Sequence, residues 1–392
     1  FSNIQNLTGG SMDDTFTFAD GASIDGAIDG GGGTNELDYS AYTTAVIVDF
    51  NANTSTGSGA ISNISSVIGG TTSNDTIISP NAANIWTITS SNAGEINGSI
   101  FFTSFENLTG GSGTDTFTFF DGTIQVAGLI DGGSGTNTII GPDAVTDWEI
   151  TGNNAGTLEP IASPGPSSFT NIQNLTGGSG NDTFTFTGAF QVAGTLSGGG
   201  VNNEIIGPNA NTFWTITAPT NGTLDPDGAG VTTFINIQDL TAGNVADTFD
   251  ISNSNLAGNL DGGAGDNTLI GPNGVNTWNI TADNAGNVNG QFFTNIQNLE
   301  GGTGVDTFIF GDGFGVDGTV SGFVGINGLD YSAYTPVVFF KFSNRTATGT
   351  GGLSVITSAI CGTGDNTVTS PNTFNTCTIT SLNDGNINGN FF

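Results

Sequence analysis

The 392-residue chain has no histidine, one lysine, one arginine and two cysteines. Without histidine, general acid–base and nucleophilic catalysis lose their usual base at neutral pH. The serines have no partner of the familiar triad kind, and polysaccharide lyases built on parallel β-helices draw on basic residues that are nearly missing here. A pair of carboxylates could still serve a glycosidase, but the acids recur at repeating positions, which suits structure better than one unique cleft. No enzymatic activity is expected. Lys341 and Arg345 stand against 35 acidic residues, for a formal net charge of −33. Nucleic acids and anionic membrane surfaces would therefore meet repulsion almost everywhere. No run approaches the roughly 18 apolar residues that a membrane helix needs, so membrane insertion is not expected. Phe1 opens inside a recurring motif with no signal-like region before it, and the start reads as a cut or a maturation point.

Glycine and phenylalanine are abundant instead, with 64 and 29 residues. The phenylalanines, together with many Ile, Leu and Val, supply enough apolar area to offset chain entropy, so the chain should fold despite its charge. A motif recurs as FSNIQNLTGG at Phe1, FTSFENLTGG at Phe102, FTNIQNLTGG at Phe169, FINIQDLTAG at Phe234 and FTNIQNLEGG at Phe293. The repeat units are 1–101, 102–168, 169–233, 234–292 and 293–392, the first and last lengthened by inserts beginning LDYSAY at Leu37 and Leu329. Within each unit a second glycine turn follows the first after about 21 residues, as in IDGGSGTNTI from Ile130.

Segments such as TFTF and TWNIT alternate small polar with large apolar residues and are closed by Gly, Asn and Asp, the pattern of short strands. No window carries a capped helical stripe, so almost no helix is expected. A step of about 21 residues cannot enclose a core alone, but stacked steps can. These observations predict an all-β fold, one continuous parallel β-solenoid over 1–392 with roughly 18 coils.

In DTFTF the two aromatic positions share a face. Phe16 and Phe18, Phe117 and Phe119, Phe184 and Phe186, Phe249 with Ile251, and Phe308 and Phe310 are expected to point inward, with equivalent phenylalanines in columns. Trp86, Trp148, Trp214 and Trp278 recur at one phase and are read as a second core set, in preference to a sugar-binding platform. Cys377 takes that phase in the last unit, and Cys361 stands about one coil away. A disulfide between them and two buried thiols are both open.

Each unit places an aspartate in its first turn, Asp14, Asp115, Asp182, Asp247 and Asp306, and an asparagine one step later, Asn35, Asn137, Asn203, Asn267 and Asn327. Stacked carboxylates would repel, whereas an intervening amide can donate to them, so the pattern reads as a hydrogen-bonded ladder. Calcium is the rival reading, since a Gly-rich turn can add backbone carbonyls to the aspartate oxygens.

The turn GGSGND at Gly177, with GGSGTD at Gly110 and GGTGVD at Gly301, resembles the unit of hemolysin-type (RTX) calcium-binding repeats. The LDYSAY inserts also look like segments of very large repetitive bacterial surface and secreted proteins. The resemblance implies an extracellular or cell-surface bacterial protein whose arrays serve as stalks, filaments or adhesive surfaces, with calcium at the five aspartates. It departs from the RTX pattern because the spacing is about 21 residues and only alternate turns keep the acid. The expected role is a structural repeat segment that continues end to end with further repeats or subunits. The alternative is a calcium-binding adhesin module that holds a glycan or another surface along one face.

Overall fold

The computed structural model describes residues 3–72, 74–341 and 343–370 with their side chains, and the backbone of Cys377–Ser381, Asp384–Ile387 and Asn390–Phe391. The chain is an all-β parallel β-solenoid, and no helix occurs among the described residues. It divides into two compact units, Phe1–Asn203 and Glu204–Phe392.

In the first unit, strands of two to seven residues alternate between two faces, each strand burying every second side chain. Thr116–Phe119 and Thr138–Ile140 pair in parallel on one face, Asn107–Thr109 and Leu129–Asp131 on the other. Register gives the coil length directly. Phe16 pairs with Leu37 and Phe117 with Ile139, steps of 21 and 22 residues, but Ile139 pairs with Leu175 and Ile130 with Phe169, steps of 36 and 39. The 21-residue step is thus the shorter of two coil lengths.

The longer coils carry an antiparallel meander. Thr146–Gly152 runs up, Ala155–Pro160 returns and Ser167–Thr170 runs up again, all on one face. The last of these strands pairs in parallel with Leu129–Asp131 on one side, and the first pairs with Asp182–Phe186 on the other. The chain therefore overshoots by two rungs, folds back and fills the gap behind it. Ile85–Ser90, Ala93–Ile96 and Ile100–Thr103 do the same on the opposite face. Each meander adds two rungs, about 10 Å of height, and alternation between faces lets both sides grow equally. The first LDYSAY insert behaves likewise: Ile47–Asp49 pairs antiparallel with Thr54–Ser55, and Ile61 N–H donates to Asn53 O.

The second unit repeats this plan. Its meanders are Thr212–Ala218 to Thr232–Ile235 on one face and Asn276–Ala282 to Gln291–Thr294 on the other. The second LDYSAY insert supplies Phe339–Lys341, paired antiparallel with Thr346–Ala347 and parallel with Thr367–Thr369.

Counting a meander as one step, each short repeat takes five strand steps, an odd number. Equivalent motifs therefore swap faces from one repeat to the next. In the first unit Phe117 lies on one face and Phe184 on the other, and in the second unit Phe249 and Phe308 divide in the same way. The expected columns of equivalent phenylalanines do not form. Tryptophan stacks on phenylalanine instead: Trp86 on Phe117, Trp148 on Phe184, Trp214 on Phe249 and Trp278 on Phe308, with centroids 5.2, 5.5, 5.6 and 5.4 Å apart and the rings within 21° of parallel. All four indoles are fully buried, as are Phe117, Phe184, Phe249, Phe308 and Phe310. Phe119 and Phe186 are also buried, Phe18 stacks on Tyr39, and Phe16 is half-buried. The tryptophans are core residues with no exposed ring face to offer a sugar.

Candidate functional site

The recurring turns stack the aspartates and asparagines into ladders, with the Asp115 and Asn137 turns leading into one face and the Asp182 and Asn203 turns into the other. Each turn climbs over the turn below, closely enough that glycine is required where φ is positive. A Cβ on Gly133, at φ 71°, would collide with the Gly111 carbonyl oxygen, and Gly199, at φ 78°, meets Gly178 in the same way. Gly200 N–H donates to Gly178 O across the stack at 2.8 Å.

Inside this stack each asparagine side chain accepts the backbone N–H of the preceding aspartate. Asp14 N–H donates to Asn35 Oδ1 at 3.0 Å, Asp115 to Asn137 at 2.9 Å, Asp182 to Asn203 at 2.9 Å, Asp247 to Asn267 at 2.9 Å and Asp306 to Asn327 at 2.8 Å. The aspartate carboxylates do the same for the coil before them, accepting from Asn84 N–H (Asp115), Thr146 N–H (Asp182) and Thr212 N–H (Asp247) at 2.7–3.1 Å. Every rung thus lends one side-chain oxygen to a backbone donor that the turn would otherwise leave buried and unpaired. The Asn35-type amides do not donate to the ladder carboxylates, contrary to expectation. Their Nδ2 groups donate to backbone carbonyls such as Asn63 O, Asn171 O and Asn295 O. Amide-to-carboxylate donation comes from Asn84 and Asn276, whose Nδ2 groups reach Asp115 at 2.7 Å and Asp306 at 2.6 Å.

The ladder acids are interior groups. Asp115, Asp182, Asp247 and Asp306 are buried, while Asp14 is half-buried. Oδ2 of Asp182, Asp247 and Asp306 and Nε1 of the four tryptophans make no hydrogen bond of good geometry among the described residues, although Gly178 N–H, Gly243 N–H and the Trp278 indole lie near enough to the Asp182, Asp247 and Asp306 carboxyls, respectively, to favour their charged forms. Burial pushes the Asp182 carboxyl up to about 7 and Asp247 up to about 6, and raises Asp115 and Asp306 in the same direction.

One turn departs from the rest. Gln173 and Gln297 supply the neutral acceptor for Asn137 N–H and Asn267 N–H at 2.7 and 2.8 Å, but the second repeat has Glu106 at this place, accepting from Asp75 N–H at 3.0 Å. Burial raises the Glu106 pKa, against the Asp75 N–H that favours the carboxylate, and the Asp75 charge raises it further. Glu106→Gln keeps the acceptor and removes a buried charge, so at pH 8 the variant should melt roughly 2 °C above the parent, with the difference vanishing near pH 4. A lower melting temperature at pH 8 would refute this.

A second set of acids escaped the sequence reading. Asp29, Asp131 and Asp261, from the second turn of three of the five repeats, accept from Asn63, Asn171 and Asn295 Nδ2 at 2.7 Å and from Gly31, Gly133 and Gly263 N–H. Those asparagines hold φ of 54–55°, the left-handed region that Asn tolerates. The amide from Asn63 and the N–H of Gly31 hold the Asp29 carboxyl below its ordinary value. The signal was available in the IDGG motif, but these acids lie on the strand rather than in the turn.

Each turn brings one inward carboxylate, and among the described residues no three acidic, histidine or cysteine groups converge, so calcium, which takes six to eight oxygens, would need backbone carbonyls for most of its shell. Of the cysteines, Cys361 is a half-buried free thiol, and the Cys377 side chain lies outside the described residues. No protein-family model matches the chain, and a search of characterised proteins likewise returns no match.

Proposed function

We propose that the chain is a structural repeat segment of an extracellular bacterial filament or adhesin stalk. The observation that carries this reading is the recurrence of one contact at all five aspartates: the backbone N–H of each donates to the asparagine side chain one rung on. A site for chemistry would gather unlike groups at one place, whereas here the same groups recur rung after rung, as in a spacer whose length is set by repeat number. A polyanionic surface keeps such a segment hydrated. Calcium, glycan or cell-surface binding along one face is the rival role.

Immunogold microscopy on the cells that make the protein tests the reading, with label along surface projections expected and label confined to the cell interior sinking it. The role of calcium is tested separately. Thermal melts of purified protein with excess chelator and with added calcium should superimpose, because the rung-to-rung contacts are made by protein groups alone. A large fall in melting temperature on chelation would instead make the aspartate turns ion sites.

A further inference from the structure

One edge of the second unit is unlike the matching edge of the first. Asn276–Ala282, Asp306–Phe310 and Gly328–Asp330 are neighbouring parallel strands, and the turns leading into them lie one above another. Gly304 packs on Gly274, and Gly325 packs on Gly304, so closely that a Cβ on either would meet the carbonyl oxygen of the other turn. This stack lines up Val275, Val305 and Ile326 in an exposed row, with Phe323 and Val324 beside it. Val275 and Ile326 are 76% and 71% exposed. The row continues to Val355, whose carbonyl accepts from Asn327 Nδ2 at 3.1 Å. In the first unit the residues before the ladder positions are Asp13, Thr34, Asn74, Thr114, Thr136, Asn181 and Asn202, with Ala83 and Val145 the apolar exceptions.

The two cations of the chain join this same edge. Arg345 O accepts from Leu353 N–H at 2.7 Å in the strand that leads to Val355, and Lys341 ends the strand that leads to Arg345. Both side chains are exposed. Elsewhere in the chain no surface can answer a carboxylate with a positive charge. The first unit meanwhile holds carboxylates that need one. Asp147 faces Glu159 directly across the antiparallel pair of its second meander, with Glu149 two residues on, and all three are exposed on the outer face. Like charges directly opposed across a sheet are destabilising.

We propose that the Lys341–Arg345 edge, with its row of exposed valines, Ile326 and Phe323, docks onto the Asp147–Glu149–Glu159 face of a second copy of this chain. The contact is heterologous, the edge of one copy on the face of the next, so it propagates. Cations meet unanswered carboxylates while the apolar row leaves water. Charge sets the partner and apolar burial supplies the affinity.

Sedimentation velocity over a range of protein concentrations, at low and high salt, tests this on the full chain. The parent should associate with rising concentration, and high salt should weaken the association. The double variant Lys341→Glu/Arg345→Glu should associate about tenfold more weakly or worse at low salt. Mixing it with the triple variant Asp147→Lys/Glu149→Lys/Glu159→Lys should restore association between the two, while each alone stays dissociated. Matching circular dichroism spectra and melts confirm that all chains are folded. A parent that stays monomeric throughout overturns the proposal, as does charge reversal without effect or a mixture that fails to associate.

Discussion

Lowering the pH from 8 to about 4.5 should make this protein more stable. An ordinary unfolded aspartate titrates near 3.9, whereas burial lifts Asp182 to about 7 and Asp247 to about 6 in the fold. Between these values the folded chain binds more protons than the unfolded chain, so stability falls as pH rises. The contribution is whole below about pH 4 and is lost as pH climbs through 6 and then 7. A shift of about three units for Asp182 alone corresponds to a ceiling of about 4 kcal/mol. Asp115, Asp306 and Glu106 are raised as well and act in the same sense. Melting temperature against pH should therefore slope downward from pH 5 to 8. Asp182→Asn should melt higher than the parent at pH 8 and flatten that slope, since an amide carries no charge to bury. A profile that rises toward pH 8, or is unchanged by Asp182→Asn, would disprove the account.

Trp148→Ala should be the most damaging single truncation in the first unit. The indole is fully buried, stacked on Phe184 at 5.5 Å and edge-on to Phe169 at 6.2 Å, within the meander that joins two coils. Its removal should cost about 3–5 kcal/mol, the range for a large buried aromatic. Because neighbouring coils stabilise one another, hydrogen exchange should show the loss in Thr146–Gly152 and Asp182–Phe186 before more distant rungs. Trp148→Phe should cost far less, since it keeps a ring on Phe184 and deletes an indole N–H that has no partner among the described residues. Equal effects from the two substitutions would mean that the stack contributes little.

The sequence makes the stack legible and hides the route of the chain through it. Period-two strands, glycine turns and the Asp115-to-Asn137 spacing are local features, and they suffice for coils of about 21 residues. The meanders are not local in this sense. Thr146–Gly152 and Ala155–Pro160 alternate just as coil strands do, so periodicity cannot separate an antiparallel return from a forward step. The discriminating signal is the tight turn between them. Asn92, Asn154 and Asn284 adopt φ of 54–57° at hairpins whose register shifts by one residue. Here Asn is followed by Ala, not by the Gly that usually announces such a hairpin. Missing that return also hid the odd step count, and with it the swap of faces that puts Trp148 over Phe184. In the ladder, the residues were legible from their spacing, but which atom donates was not. Both amide and carboxylate can accept, and the buried backbone N–H groups decided the arrangement.

The overshoot of each meander bears on how the chain can be built as it leaves a ribosome. Ser167–Thr170 docks on Leu129–Asp131, and Thr146–Gly152 then lies two rungs beyond it, although it emerges first. A nascent segment in this region cannot add one rung at a time in order of synthesis. Thr146–Gly152 has no finished neighbour until the residues up to Thr170 have appeared and closed the gap. Assembly should accordingly advance in bursts, with a pause while each such segment is completed.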